Sequence, residues 1–120
     1  MTARVVYVDD EAPLCRAFQL LLRSVPVEVT TFTDPVAALA HLEANPAALI
    51  FCDYRMPRMN GLQLLAALPG ETPFYMVSGD LGAAGWAAQN RRITGVLAKP
   101  FKAECIVEIV QRHLGPAPAA

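Results

Sequence analysis

Short apolar runs alternate with stretches of helical period along the chain. RVVYV is followed by 11–23, VEVTTF by 34–44, AALIFC by 61–69, PFYMVS by 80–90 and GVLA by 102–114, which predicts five β/α units. Within 11–23, Leu14, Phe18, Leu21 and Leu22 share one face, and Ile106, Ile109 and Val110 do so within 102–114. That is the period of an amphipathic helix packed on a sheet. Thr33, Asp34 and Pro35 supply a cap and a first-turn proline for the second helix, and Pro26, Pro46 and Pro73 punctuate the starts of strands.

VVYV, ALIFC and FYMV are almost continuously apolar, as strands covered on both faces must be. VEVTTF alternates and GVLA is short, which suits the two edges of a sheet. The expected architecture is therefore α/β: a five-stranded parallel sheet of order 2-1-3-4-5, doubly wound in the flavodoxin-like manner with right-handed crossovers. Ligands of such folds sit outside the carboxyl ends of the strands, at the switch point between strands 1 and 3. One domain over 1–114 is expected, with GPAPAA at 115–120 as a disordered tail or the start of a linker.

The 120 residues are 54% hydrophobic and 18% charged, enough apolar surface for a single core, and no apolar run approaches the roughly 18 residues that cross a bilayer. The opening MTARVVYVDD reaches two aspartates too soon for a secretory leader, so a cytoplasmic location away from membranes is expected. A net charge of -1 without a Lys/Arg block argues against direct nucleic-acid binding. Cys15, Cys52 and Cys105 lie far apart without CxxC spacing and are read as buried small apolar side chains. His41 and His113 are read as surface or boundary residues on helices.

At the strand ends the chain changes character. Strand 1 ends in Asp9 and Asp10, strand 3 in Asp53, strand 4 in Ser78 and strand 5 in Lys99, all on one edge of the predicted sheet. Singly, each has a local explanation: a cap at Asp10, a turn at Asp53, a helix start at Ser78, a surface lysine at Lys99. Independent caps and turns give no reason for three acids, a hydroxyl and an ammonium to meet at one switch point. Three neighbouring carboxylates raise one another's pKa unless a cation sits among them, and Mg2+ suits a site of few carboxylates that also accepts phosphoryl oxygens. An aspartate beside such an ion can attack phosphorus, with Lys99 and Ser78 meeting the phosphoryl oxygens.

VDDE, DYRMPRMNG, SGD and AKPF resemble, in order and on the expected elements, the signature stretches of the receiver domain of bacterial two-component response regulators, over residues 3 to 114. The resemblance implies that Asp53 is the phosphoacceptor, Asp10 a direct Mg2+ ligand, Asp9 a ligand acting mostly through water, and Arg55 a ligand through its backbone carbonyl. It implies that Ser78 is the switch hydroxyl, that Gly79 leaves room for the phosphodonor, and that Lys99 holds a phosphoryl oxygen before a cis bond to Pro100. Met56, Pro57, Met59 and Gly61 would shape the loop. The phosphodonor would be a histidine kinase or a histidine phosphotransfer protein, the output an effector domain or target protein, and the chain a monomer or a phosphorylation-dependent dimer that turns over no substrate but its own phosphoryl group.

The chain departs from the family pattern at Val96, where the family has Tyr or Phe as a switch aromatic, and in a third helix shorter by roughly one turn. The fourth helix, around DLGAAGWAAQNR, offers only Leu81 and Trp86 as large apolar side chains, which suits an element that shifts and equally an ordinary alanine-rich helix. The resemblance implies that Arg55 and Asp80, each two residues beyond a site residue, tune the lifetime of the acyl phosphate; their opposite charges suit either a pair across the entrance or two separate solvated surface charges. Two other readings compete. A phosphorylation-independent interaction module would explain Val96. A small Mg2+-dependent aspartyl-phosphate phosphatase of the haloacid-dehalogenase kind would need a second acid where Arg55 stands.

Overall fold

The computed structural model describes residues 2–79 and 90–115. Strands β1 (Ala3–Val8), β2 (Val27–Phe32), β3 (Leu49–Asp53) and β4 (Phe74–Ser78) alternate with helices α1 (Ala12–Leu21), α2 (Pro35–Ala44) and α3 (Gly61–Ala67), and β5 (Gly95–Ala98) precedes α4 (Ala103–Leu114). The five strands form one parallel sheet in the order β2-β1-β3-β4-β5, as their apolar patterns predict.

Because strand side chains alternate between faces, each central strand feeds two cores. Val6, Val8, Ile50, Cys52, Phe74 and Met76 pack under Ala38 and Leu42 of α2 and Leu64 and Leu65 of α3. Val5, Tyr7, Leu49, Phe51, Tyr75 and Val77 pack under Cys15 and Phe18 of α1 and Ile106, Ile109 and Val110 of α4. Burying both faces is what obliges β1, β3 and β4 to be apolar throughout, and it leaves their carboxyl ends as the place where polar side chains can meet.

The helices begin in three ways. At α2 the Asp34 carboxylate accepts the Val36 N–H at 3.0 Å ahead of Pro35, as expected. At α3 Asn60 and Gln63 form a reciprocal capping box, with Gln63 N–H donating to Asn60 Oδ1 at 2.9 Å and Asn60 N–H to Gln63 Oε1 at 2.8 Å. This box starts a helix of seven residues against ten in α1 and α2. At α1 the cap position is Glu11, whose side chain makes no capping bond; its N–H donates instead to Asp9 Oδ1 at 2.9 Å. The acid that serves the start of α1 is thus Asp9, not Asp10.

Cys15 and Cys52 are buried, but Cys105 is exposed. It precedes Ile106 on α4 and so falls off the stripe of Ile106, Ile109 and Val110 that faces the sheet. The expected fourth helix, with Asp80, Leu81 and Trp86, lies outside the described residues, as does the tail beyond Gly115.

Candidate functional site

The sheet carries Asp9, Asp10, Asp53, Ser78 and Lys99 to the same edge. Asp9 follows β1 and stays in the ladder, its N–H donating to Phe32 O at 3.0 Å. Asp53 is the last residue of β3, opposite Val77 of β4. Ser78 ends β4 opposite Ala98, and the Lys99 N–H donates to Ser78 O at 2.9 Å. Asp9, Asp53 and Ser78 are the buried polar residues among those described. Asp10 lies exposed beside them.

Lys99 ties the acids together. Its ammonium lies 3.0 Å from Asp9 Oδ2 and 3.1 Å from Asp53 Oδ1. Burial lowers the Lys99 pKa, but the bonds to Asp9 and Asp53 outweigh it and the net direction is up. Burial, followed by the Asp9 charge, pushes the Asp53 carboxyl up to about 6; Lys99 opposes the rise and Asp10 adds to it. The Lys99 ammonium therefore does not offset burial and the neighbouring acids at Asp53.

One carboxylate oxygen from each of Asp9, Asp10 and Asp53 lies within 4.8 Å of the other two, close to the roughly 4.2 Å across an octahedral Mg2+ with oxygen ligands at about 2.1 Å. The donor set is all oxygen and carries excess negative charge, so these residues fit a hard divalent cation. Asp10 and Asp53 open on a cleft of about 320 Å³ lined also by Glu11, Arg55, Ser78, Gly79 and Lys99, with Asp9 buried behind it. A more apolar hollow of about 270 Å³, between Leu42, Ile50, Leu65, Leu68 and Phe74, lies at the opposite ends of the strands and gathers none of these groups.

Around the cleft, Gly79 is exposed with open space where a Cβ would stand, and the Lys99–Pro100 peptide is cis. Arg55 is exposed on the rim. Met56 and Met59 pack against the core under α2 and α3. A Cβ at Gly61 would come within 2.8 Å of the Asp53 carbonyl oxygen and closer still to Met76 Sδ, so the loop can close on Asp53 only with glycine there. Val96 is half-buried on β5 opposite Met76 and packs into the same core.

Two features were not foreseen. Tyr7, fully buried on β1, donates its hydroxyl to Asp9 Oδ2 at 2.6 Å. The strand period, which puts positions 7 and 9 on one side, is the signal that could have revealed it. His113 is a boundary residue as expected, yet its Nε2 lies 2.7 Å from the Tyr75 hydroxyl, linking α4 to β4.

Comparison with known proteins agrees with this geometry. The family model described as the response regulator receiver domain matches residues 5–111. The chain is 34% identical over 113 residues to the C4-dicarboxylate transport transcriptional regulatory protein DctD of Rhizobium meliloti, covering 90% of this chain but 24% of DctD. It is 31% identical over 119 residues to protein PilG of Pseudomonas aeruginosa, covering 92% of this chain and 87% of PilG. A crystal structure of an uncharacterized protein from Neptuniibacter caesariensis superposes with a TM-score of 0.86 at 30% identity, covering 93% of this chain and 87% of that one. The chain thus spans about a quarter of one relative and most of another. With the 2-1-3-4-5 sheet, the acids at its switch point and Lys99 between them, the chain belongs to the receiver domain family of two-component response regulators.

Proposed function

We propose that Asp53 is the phosphoacceptor of this receiver domain, taking a phosphoryl group from a phosphohistidine on a histidine kinase or histidine phosphotransfer protein. The observation that carries the reading is Lys99 bridging Asp9 and Asp53 at 3.0 and 3.1 Å in a cluster of three acids where the Asp53 carboxyl is still pushed up. Mg2+ would supply positive charge there and shield the acceptor carboxylate from the incoming phosphoryl oxygens. Asp10, Asp53 and the Arg55 carbonyl would hold it directly, with Asp9 acting through water.

In the transfer, an Asp53 carboxylate oxygen attacks phosphorus. A P–O bond forms as the P–N bond to the donor imidazole breaks, and the electron pair returns to the imidazole nitrogen, which takes up a proton. Lys99 exchanges its contact with Asp53 for a phosphoryl oxygen, and the Ser78 hydroxyl donates to another, which biases the domain toward its active conformation. Gly79 leaves the donor a path. Hydrolysis of the acyl phosphate later resets the site, and the domain turns over no other substrate. With Val96 packed in the core in place of a switch aromatic, the change at Ser78 reaches the surface through backbone shifts or another side chain rather than by a swinging ring. Arg55 and Asp80, the latter outside the described residues, would set the lifetime of the acyl phosphate.

Domain 1–114 acts as one unit in the cytoplasm; no helix among the described residues is long and apolar enough to cross a membrane. The test is intact-protein mass after incubation with acetyl phosphate and Mg2+. The wild type is expected to gain one phosphoryl group, lost with EDTA and absent in Asp53→Asn. An adduct that persists in Asp53→Asn, or that forms equally well in EDTA, refutes the proposal.

A further inference from the structure

Asp9 is held by more of the protein than its role as one of three clustered acids requires. Its Oδ2 accepts from the Tyr7 hydroxyl at 2.6 Å and from Lys99 Nζ at 3.0 Å, and its Oδ1 from the Glu11 N–H at 2.9 Å. A carboxylate offers about four lone-pair directions, and these partners take three of them. The Tyr7 bond is short, as bonds to a charged acceptor are. It is also rigid: the ring stacks on Phe18 with centroids 4.4 Å apart and meets the edge of Phe101 at 5.9 Å. Burial and the bond to Asp9 push ionisation of the phenol far above its ordinary range, so the group acts only as a donor.

We infer that Tyr7 is a positioning residue whose hydroxyl shares the charge of Asp9 from beneath the site, weakening the grip of Asp9 on both a cation and Lys99. The inference rests on the phosphoacceptor reading above. The positive end of the O–H dipole faces Asp9, so the potential in the cleft is less negative than three bare carboxylates would make it. Asp9 is left to act through water, while Asp10 and Asp53 keep oxygens for direct contact. Because Lys99 shares Oδ2 with the hydroxyl, it is also held less tightly and can more readily leave for a phosphoryl oxygen. Tyr7→Phe keeps the stacked ring and removes only the donor. It makes Asp9 a stronger competitor for Mg2+ and for Lys99.

The experiment is calorimetric titration of metal-free protein with Mg2+ at neutral pH for the wild type, Tyr7→Phe, Asp9→Asn and the double variant, with circular dichroism to show that each is folded. Tyr7→Phe is expected to bind Mg2+ about fivefold more tightly, the order set by losing part of one charge-assisted hydrogen bond. It is also expected to accept phosphoryl from acetyl phosphate more slowly at saturating Mg2+. In the Asp9→Asn background the same substitution should leave Mg2+ affinity unchanged, because the hydroxyl acts through that carboxylate. Equal or weaker Mg2+ binding by folded Tyr7→Phe overturns the inference, as does an equal effect in the Asp9→Asn background. Failure of the wild type itself to bind Mg2+ or to form an Asp53-dependent adduct would instead overturn the reading on which it rests.

Discussion

Asp53→Asn should make the metal-free domain more stable, although it removes half of a buried ion pair. Burial and the Asp9 charge raise the Asp53 carboxyl from an ordinary 3.8 to about 6. The folded chain therefore binds that proton more tightly than the unfolded chain. Between these values the folded state holds more protons, so the Asp53 contribution to stability is greatest below the lower value, falls as pH rises through the interval, and stays low above about 6. At about 1.36 kcal/mol per tenfold change in proton affinity, the ionised side chain costs roughly 3 kcal/mol at neutral pH. The attraction of Lys99 already lies within that figure, since it opposes the rise. Asparagine has the shape of the protonated acid and no charge, so in EDTA at pH 7.5 it should gain about 2–3 kcal/mol.

Urea unfolding followed by circular dichroism reads this directly. With a slope of about 1–2 kcal/mol per M, the midpoint of Asp53→Asn should rise by about 1–3 M without a change in slope. The gain should shrink toward zero near pH 4. Saturating Mg2+ should close the gap at pH 7.5, because the ion stabilises the wild type more than the variant. An Asp53→Asn protein no more stable than the wild type in EDTA at pH 7.5, or a gain that persists unchanged at pH 4, would refute the electrostatic reasoning.

Other outcomes follow from the same geometry. Lys99→Met leaves Asp9 and Asp53 without their shared ammonium; in EDTA at neutral pH it should destabilise the domain by about 3 kcal/mol in thermal or urea unfolding and slow adduct formation in the mass assay, with Mg2+ restoring part of the stability. Gly61→Ala forces a Cβ to within 2.8 Å of the Asp53 carbonyl oxygen, a backbone atom that cannot swing away; a loss of about 2 kcal/mol in urea unfolding is expected, together with slower phosphorylation. Asn60→Ala removes one side of the α3 capping box and should cost about 1 kcal/mol by the same assay, with Asn60→Asp largely restoring it.

The sequence alone determined the class of fold, the order of strands and the residues that meet at their ends. Continuous apolar runs at VVYV, ALIFC and FYMV can be buried only as central strands, and an alternating VEVTTF and a short GVLA belong at the edges. These are local properties, and the right-handed crossover turns them into a topology that carries Asp9, Asp53, Ser78 and Lys99 to one edge. Contacts through space have no such local signature. Nothing in RVVYVDD says that a buried tyrosine hydroxyl will share an oxygen of Asp9 with Lys99, because that depends on α1 placing Phe18 against the ring and on β5 ending beside β4. The exposure of Cys105 is likewise set by the rotation of α4 on the sheet, and the need for glycine at position 61 by how closely a loop approaches the carbonyl of Asp53. Periodicity determines which residues are buried and which strand ends are neighbours; packing decides the distances of a few ångströms on which the charge of Asp53 and the reach of Lys99 depend.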